Sequence, residues 1–193
     1  MQGLYPLNQQ EFWNIYDTFM KQDFPLSEIR KAENFTQLWK ENVYEALGWY
    51  EKDVLKGYAF FVKGQNIVLL DYFAILGSNK GSGIGGKFLE AYKDYFAVKA
   101  DCILVETENP EFAVDEADRQ KRIRRNSFYE KHGAYVSCVT TRVFTDEYQI
   151  LVLPLNKEKA PFSANRAFQI QSIYETIFPM KEQWEQIKIS RNA

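Results

Sequence analysis

The spacing of apolar residues near the N-terminus predicts two amphipathic helices. Five apolar residues recur at helical spacing in the first of them: Phe12, Ile15, Tyr16, Phe19 and Met20. This helix should end before Pro25, because proline cannot continue a helix. Ser27 has the side chain of a good N-cap for the second helix. Three apolar residues would then lie on one side of that helix: Phe35, Leu38 and Trp39.

Three segments rich in aromatic and branched residues follow, at 43–51, 55–63 and 67–76. Short polar turns at 52–53 and 64–66 separate them. Such runs joined by tight turns predict three antiparallel strands.

The pattern then alternates between helix and strand. A glycine-rich segment at 77–86 leads into a helix with one apolar face, formed by Phe88, Leu89, Tyr92, Tyr95 and Phe96. A short apolar strand is predicted at 102–106. Asp115 or Asp118 could cap a long basic helix that Gly133 would end.

A final hairpin is predicted from strands at 136–144 and 148–153, with its turn at 145–147. Beyond it, apolar residues at helical spacing between 170 and 178 predict a last helix. We therefore expect an α/β fold with a mixed sheet over 1–154 and a C-terminal helical tail over 155–193.

Composition narrows the function classes. The 193 residues carry 24 Lys and Arg against 26 Asp and Glu, which argues against a nucleic-acid or acidic-membrane binder. The single histidine, His132, and two distant cysteines, Cys102 and Cys138, are too few for a Cys/His zinc site. No signal sequence or membrane-length apolar run is evident, so we expect a cytoplasmic protein, monomeric or homodimeric, without metal.

The glycine-rich segment is the strongest chemical signal. Glycines let backbone N–H groups approach an anion, and the N-terminus of the following helix favours negative charge at the same place. A plain glycine turn without a ligand is the alternative. Three phosphate-loop templates fit the segment in part, so the glycines alone do not decide between them.

Two of the templates meet difficulties. The ATP/GTP P-loop requires Ser or Thr after Lys87 to hold magnesium, but Phe88 follows. The dinucleotide fingerprint is satisfied by Gly81, Gly83 and Gly86, and Glu106 could accept a ribose hydroxyl. An oxidoreductase of that kind needs a doubly wound parallel sheet, however, and the antiparallel pattern leaves no further βα units for one.

The third template is the pyrophosphate loop of the GNAT superfamily of N-acetyltransferases. The run from Lys80 to Gly85, directly after an apolar strand, resembles that family's Arg/Gln-x-x-Gly-x-Gly/Ala signature. The run from Ser127 to Ala134 looks like its Phe/Leu-Tyr-Glu-Lys-x-Gly-Phe element. The order of elements over 1–154 is also similar. Arg122 and Arg125 depart from the Asn and Ala of many members, so we do not transfer the usual cofactor contact to the nearby Asn126.

The resemblance implies an acetyl-CoA-dependent N-acetyltransferase that acts on a primary amine of a small molecule or peptide. It implies that the backbone of Phe73, Ala74 and Ile75 lines the pantetheine. The pyrophosphate would be bound by the loop residues Lys80, Gly81, Ser82, Gly83, Ile84, Gly85 and Gly86. A catalytically silent acyl-CoA-binding or regulatory domain would keep the same loop.

Proton transfer would need an acid and a base. The resemblance makes Tyr129 the candidate general acid, because a phenol can return a proton to the departing thiolate. An alkylamine is mostly protonated at neutral pH, so we also expect a base. Glu106, predicted at the carboxyl end of a central strand, is the favoured candidate, with Glu108 and Asp71 as alternatives.

The basic residues at 119–125 could meet a phosphate of the cofactor or an acidic substrate. At helical spacing they are better explained as a solvated face paired with Glu111, Asp115 and Glu116.

Overall fold

A computed structural model describes residues 1–79, 81–155 and 166–191 of the chain. The described residues form two compact units. The first comprises Met1–Lys63 and Leu70–Tyr95, and the second comprises Gly64–Leu69 and the described part of Phe96–Ala193.

The strands are β1 Gly3–Leu7, β2 Tyr44–Glu51, β3 Val54–Lys63, β4 Ile67–Ile75, β5 Cys102–Glu108, β6 Tyr135–Val143, β7 Asp146–Pro154 and β8 Ile187–Arg191. They form one eight-stranded sheet in the order β1-β2-β3-β4-β5-β7-β6-β8. The pairs β1–β2, β2–β3, β5–β7, β6–β7 and β6–β8 are antiparallel. The predicted α/β class with a mixed sheet is confirmed, and this pairing does not fit a doubly wound parallel sheet.

The helices are α1 Gln9–Ile15, α2 Lys21–Asp23, α3 Ala32–Lys40, α4 Ile84–Phe96, α5 Glu116–Lys131, α6 Arg166–Ile177 and α7 Lys181–Trp184. A π-helical turn, Tyr16–Met20, joins α1 to α2. Asn8 caps α1 in a capping box with Glu11, and the Asp115 carboxylate accepts from the backbone N–H of Asp118 to cap α5. None of the described helices is both long and apolar enough to cross a membrane.

Aromatic side chains form the core of the first unit. The buried ring of Phe12 contacts those of Phe35, Tyr44 and Phe60, with centroids 4.9–5.7 Å apart. Helix α4 packs on the strands through its predicted apolar face, where Phe88 contacts Trp49 and Phe73 and where Tyr92 contacts Phe61 and Phe73. This packing fixes the start of α4 relative to the end of β4.

The described residues at 166–191 contribute to the core and the sheet of the second unit. Helix α6 buries five side chains: Arg166, Ile170, Ile173, Tyr174 and Ile177. Strand β8 pairs with β6, and Ile189 lies opposite Thr141. The C-terminal segment therefore contains a sheet strand that the apolar pattern at 170–178 does not predict.

The predicted N-cap at Ser27 is wrong, because α3 begins only at Ala32. The backbone N–H of Glu28 donates to the carbonyl of Pro25 at 2.9 Å, which forms a turn instead of a first helical turn. The Tyr72 hydroxyl donates to the carbonyl of Glu28 at 2.7 Å and holds this turn against β4.

Other boundaries also differ from the predictions. The edge strands β1 and β8 are additional, and β5 runs two residues beyond Glu106 to Glu108. The final hairpin turns earlier than predicted, with Val143 paired to Asp146. Phe144, at φ +57°, takes the left-handed conformation that a two-residue turn requires.

Candidate active site

The loop between β4 and α4 takes a backbone path that needs glycine. Gly81 and Gly83 have φ values of +82° and +84°, in the region that L side chains rarely adopt. A Cβ added at either position would meet no atom within 4 Å among the described residues. Backbone conformation, not crowding, therefore requires glycine, and the space beside both Cα atoms is open.

Asn79 organises this loop, which the sequence analysis does not predict. Its side-chain amide donates to the carbonyl of Leu76 at 2.7 Å. Its own carbonyl accepts from the Ser82 hydroxyl at 2.6 Å and from the Ser82 backbone N–H at 3.2 Å. An Asn just ahead of glycines is a common turn-forming signal and could have indicated this role.

The start of α4 places the backbone N–H groups of its first turn at the end of the loop. In an α-helix the first N–H groups have no intrahelical acceptor, and here those of Ile84, Gly85 and Gly86 lie in the first turn. Among the described residues, the N–H of Lys87 donates to the carbonyl of Gly83 at 3.3 Å. The helix has 13 residues, so its dipole adds positive potential at this end. Lys80, predicted to belong to the loop, lies outside the described residues.

The strand segment before the loop is backed by another glycine. The ring of Phe73 packs against that of Phe88, with centroids 5.7 Å apart. On β3, a Cβ at Gly57 would lie 2.8 Å from both the carbonyl oxygen of Ala74 and Cδ1 of Ile75. Gly57 thus permits the close approach of the two strands, which its position in an apolar run does not reveal.

Asp71 is committed to an internal ion pair. Its carboxylate binds the Arg30 guanidinium and accepts from the Tyr44 hydroxyl at 2.7 Å, and only 3% of its side chain is exposed. Burial and the neighbouring Asp71 charge together raise the pKa of Tyr44, so its hydroxyl remains a donor. We therefore do not assign Asp71 the role of a base.

In the second unit, Glu106 lies within β5 opposite Ile150 and is partly exposed. Its Oε1 atom accepts from the hydroxyl of Tyr174 on α6 and from Oγ1 of Thr141 on β6, the latter at 3.4 Å. Burial and the Glu106 charge raise the pKa of Tyr174 well above its usual value, which keeps its hydroxyl protonated. The prediction that Glu106 ends its strand is wrong, because β5 continues to Glu108. The sequence also does not predict the contact between Glu106 and Tyr174, because the two residues are far apart along the chain.

Tyr129 lies in the last turn of α5 and is 6% exposed. Its carbonyl accepts from the backbone N–H groups of His132 and Ala134 at 3.0 and 3.1 Å, which form the helix C-cap around Gly133. Burial raises the pKa of the Tyr129 phenol, while the positive charge of Arg125 opposes the rise. The phenol therefore carries its proton throughout the neutral range.

The basic residues of α5 are largely engaged in ion pairs. Arg122 binds Asp118 at 2.8 Å and Glu108 at 3.6 Å, and Arg125 also binds Glu108. Of the predicted acidic partners, Glu116 pairs with Arg119 at 3.6 Å, whereas Asp115 caps the helix. These contacts support the interpretation of the basic residues at 119–125 as a helix face paired with acidic side chains. They also engage the carboxylate of Glu108, the other alternative base.

The buried polar atoms of this unit that have no hydrogen-bond partner among the described residues include Oγ1 of Thr107, which follows Glu106 on β5, and Oδ1 of Asn126 on α5. The described residues contain no cluster of three or more His, Cys, Asp or Glu side chains that could hold a metal ion.

Comparison with known proteins gives structural matches only. No family model matches the sequence, and no curated protein matches it. Among solved structures, a GNAT-family protein from Bacteroides thetaiotaomicron matches with a TM-score of 0.67 and 17% identity, over 91% of this chain and 97% of that one. The ribosomal-protein-S18-alanine N-acetyltransferase of Escherichia coli matches with a TM-score of 0.61 and 15% identity, over 84% and 99%.

A third match is yncA of Salmonella typhimurium, whose structure was determined with its cofactor acetyl-CoA. Its TM-score is 0.58 at 16% identity, over 85% of this chain and 99% of that one. At these identities the likeness concerns the path of the chain, and each match extends over nearly the whole of the other protein. This chain therefore has the fold of the GNAT-family acetyltransferases.

Proposed function

We propose that this protein is an N-acetyltransferase that transfers the acetyl group of acetyl-CoA to a primary amine. The observation that carries the proposal is the open loop at Gly81 and Gly83, which ends at the N-terminus of a 13-residue helix on this fold. Such a loop suits the pyrophosphate of CoA, because the backbone can approach the anion and its N–H groups can donate to it. The acetyl-CoA complex of yncA supports the same ligand.

In the proposed reaction the amine nitrogen forms a bond to the thioester carbonyl carbon, and the bond from that carbon to sulfur breaks. The amine loses a proton and the departing thiolate gains one. We assign the first proton to the carboxylate of Glu106 and the second to the phenol of Tyr129, as general base and general acid. Burial raises the pKa of Tyr129, so the phenol holds its proton at the pH of the reaction and gives it up only to a base such as the departing thiolate.

We further infer that the acceptor is a small molecule or a peptide. The E. coli neighbour takes its name from the acetylation of an alanine of a ribosomal protein, which supports a peptide amine. The net charge of −2 suits a cationic amine better than an acidic substrate. We also infer a cytoplasmic protein, an inference supported by the free thiols of Cys102 and Cys138.

A thermal-shift measurement with acetyl-CoA, CoA and NAD tests the ligand class. At about 100 times its Kd, a ligand should stabilise the folded state by about 2.7 kcal/mol. We expect stabilisation by acetyl-CoA and CoA but not by NAD, together with acetylation of at least one member of a primary-amine panel. Stabilisation by NAD alone would overturn the proposal, and CoA binding with no turnover would indicate a silent acyl-CoA-binding domain.

A further inference from the structure

Three side chains from three elements of the second unit meet at one carboxylate oxygen. The Glu106 cluster consists of Glu106 on β5, Thr141 on β6 and Tyr174 on α6. The Tyr174 hydroxyl binds Oε1 of Glu106 and lies 3.0 Å from Oγ1 of Thr141, which is 3.4 Å from the same Oε1. The cluster links the C-terminal helix to the residue proposed as the base.

The donors and acceptors of the cluster are consistent with an ionised Glu106. An ionised carboxylate only accepts hydrogen bonds, whereas each hydroxyl supplies one proton. Tyr174 and Thr141 are each 1% exposed, so bulk water does not compete for these hydroxyls. Both hydroxyls bind the same carboxylate oxygen, Oε1, so two buried donors from two different elements act on one atom of Glu106.

The packing of α6 does not depend on the Tyr174 hydroxyl. The helix buries Ile170, Ile173 and Ile177 around it, and the Tyr174 ring contacts that of Phe178 with centroids 5.8 Å apart. A phenylalanine at 174 would retain this apolar contact and would avoid burying a polar group. The Tyr174 hydroxyl is therefore accounted for by the hydrogen bond that it donates to Glu106.

We propose that Tyr174 is a positioning residue, whose hydroxyl holds the Glu106 carboxylate in the orientation in which it accepts the proton of the amine. This inference rests on the proposed function, in which Glu106 is the base. A carboxylate fixed at one oxygen samples fewer rotamers, so less entropy is lost on reaching the reactive arrangement. The segment after residue 154 then takes part in catalysis through Tyr174, although it lies outside the region of sequence resemblance.

The test is a double-mutant cycle on the full chain, with Tyr174→Phe, Glu106→Gln and the pair, assayed by acetylation of an amine accepted by the wild type. Tyr174→Phe should lower kcat about tenfold, the loss expected from one hydrogen bond to a charged group, with the KM for acetyl-CoA unchanged. In the Glu106→Gln background, Tyr174→Phe should have no further effect, because the residue acts through Glu106.

Tyr58→Phe is the matched control. Tyr58 is also a buried tyrosine whose hydroxyl donates to a carboxylate, that of Asp23 at 3.0 Å, and it lies in the other unit. This variant should leave kcat unchanged. Thr141→Val is a second variant, which should lower kcat by a smaller factor with the same unchanged KM, and it replaces Tyr174→Phe if that variant does not fold.

The outcomes separate the inference from the proposed function. A wild-type kcat in Tyr174→Phe, or an equal loss in both backgrounds, would overturn the positioning role while acetyl transfer stands. Full activity of Glu106→Gln would also overturn it, because the proposed base would then be dispensable. A wild-type protein that neither binds acetyl-CoA nor acetylates any amine would remove the proposed function first and this inference with it.

Discussion

The guanidinium of Arg30 forms an ion pair with the carboxylate of Asp71, and the two side chains are 15% and 3% exposed. Arg30 follows the turn at Pro25, whereas Asp71 lies in β4, so the pair anchors a loop to the strand that leads into the glycine loop. The backbone N–H of Arg30 also donates to the Tyr72 hydroxyl at 3.1 Å. This buried network makes Asp71 a structural residue.

Arg30→Ala should therefore destabilise the protein strongly. Removing one partner of a buried pair leaves the other charge uncompensated, which costs about 3–5 kcal/mol. Urea unfolding measures this loss, with Lys21→Ala as the control, because the Lys21–Asp17 pair is exposed and should contribute about 0.5 kcal/mol or less. Equal losses in the two variants would contradict the structural role of the buried pair.

Gly83→Val should abolish or greatly weaken acetyl-CoA binding, because its side chain would occupy the open space where the pyrophosphate is proposed to bind. Gly85→Val, in the first turn of α4, should act in the same direction. Isothermal titration with acetyl-CoA measures the effect. Lys87→Ala should lower the affinity for acetyl-CoA much less, and EDTA should leave it unchanged. A P-loop would instead depend on that lysine and on magnesium, so these two measurements distinguish the loops.

The effect of backbone strain requires a separate control, because valine at a positive φ lowers the free energy of unfolding by about 1–2 kcal/mol at any position. Gly3 has φ +102° and a Cβ there would also meet nothing within 4 Å, but it lies in the edge strand β1. Gly3→Val should lose similar stability and keep its affinity for acetyl-CoA. If Gly83→Val folds and binds acetyl-CoA like the wild type, the loop is only a turn.

Tyr129→Phe should lower kcat by about 10²–10⁴-fold and leave acetyl-CoA binding nearly unchanged, because it removes the transferable proton and keeps the buried ring. Single-turnover rates are the appropriate measurement, since slow product release would hide part of the defect. The raised pKa of Tyr129 also predicts no loss of kcat from its ionisation below about pH 10. Full single-turnover activity in the Phe variant would show that Tyr129 only packs the end of α5.

Stability should fall steeply in alkaline solution. Besides that of the half-buried Tyr50, burial raises the pKa of five buried tyrosines: Tyr44, Tyr58, Tyr72, Tyr129 and Tyr174. Above about pH 10 the unfolded chain loses these protons while the folded protein keeps them, so each group lowers the free energy of unfolding by about 1.4 kcal/mol per pH unit. Below about pH 10 their contribution is fully present.

Urea unfolding between about pH 9 and 11 measures this slope, and Tyr58→Phe should reduce it by the share of one tyrosine. A free energy of unfolding that is constant over this range would show that the phenols ionise alike in the folded and unfolded states.

The sequence predicts what depends on neighbouring residues. The apolar face of α4 and the Asp115 cap of α5 follow from local spacing, and both are confirmed. Strand β1 escapes prediction because it is short and contains Pro6, which is tolerated at the edge of a sheet. Strand β8 does carry a signal, since Ile187 and Ile189 alternate with polar residues.

The candidate site also combines features that the sequence predicts with features that it does not. Consecutive glycines make the loop at 81–86 visible in the sequence, and the structure adds the positive φ values and the open space at Gly81 and Gly83. The Glu106 cluster joins residues up to 68 positions apart, and no spacing rule predicts such a contact. The positions of Asp71 and Tyr174 therefore become clear only from the folded chain.

The most direct test of acetyl transfer follows both products when the protein is incubated with acetyl-CoA and a panel of small-molecule and peptide amines. Free CoA thiol is measured by a colorimetric reagent, and the acetylated amine is measured by mass spectrometry. The account predicts one thiol released for each amine acetylated, with release that requires the amine and falls sharply in Tyr129→Phe. A protein that binds acetyl-CoA but releases no thiol above background with any amine would contradict the proposed activity.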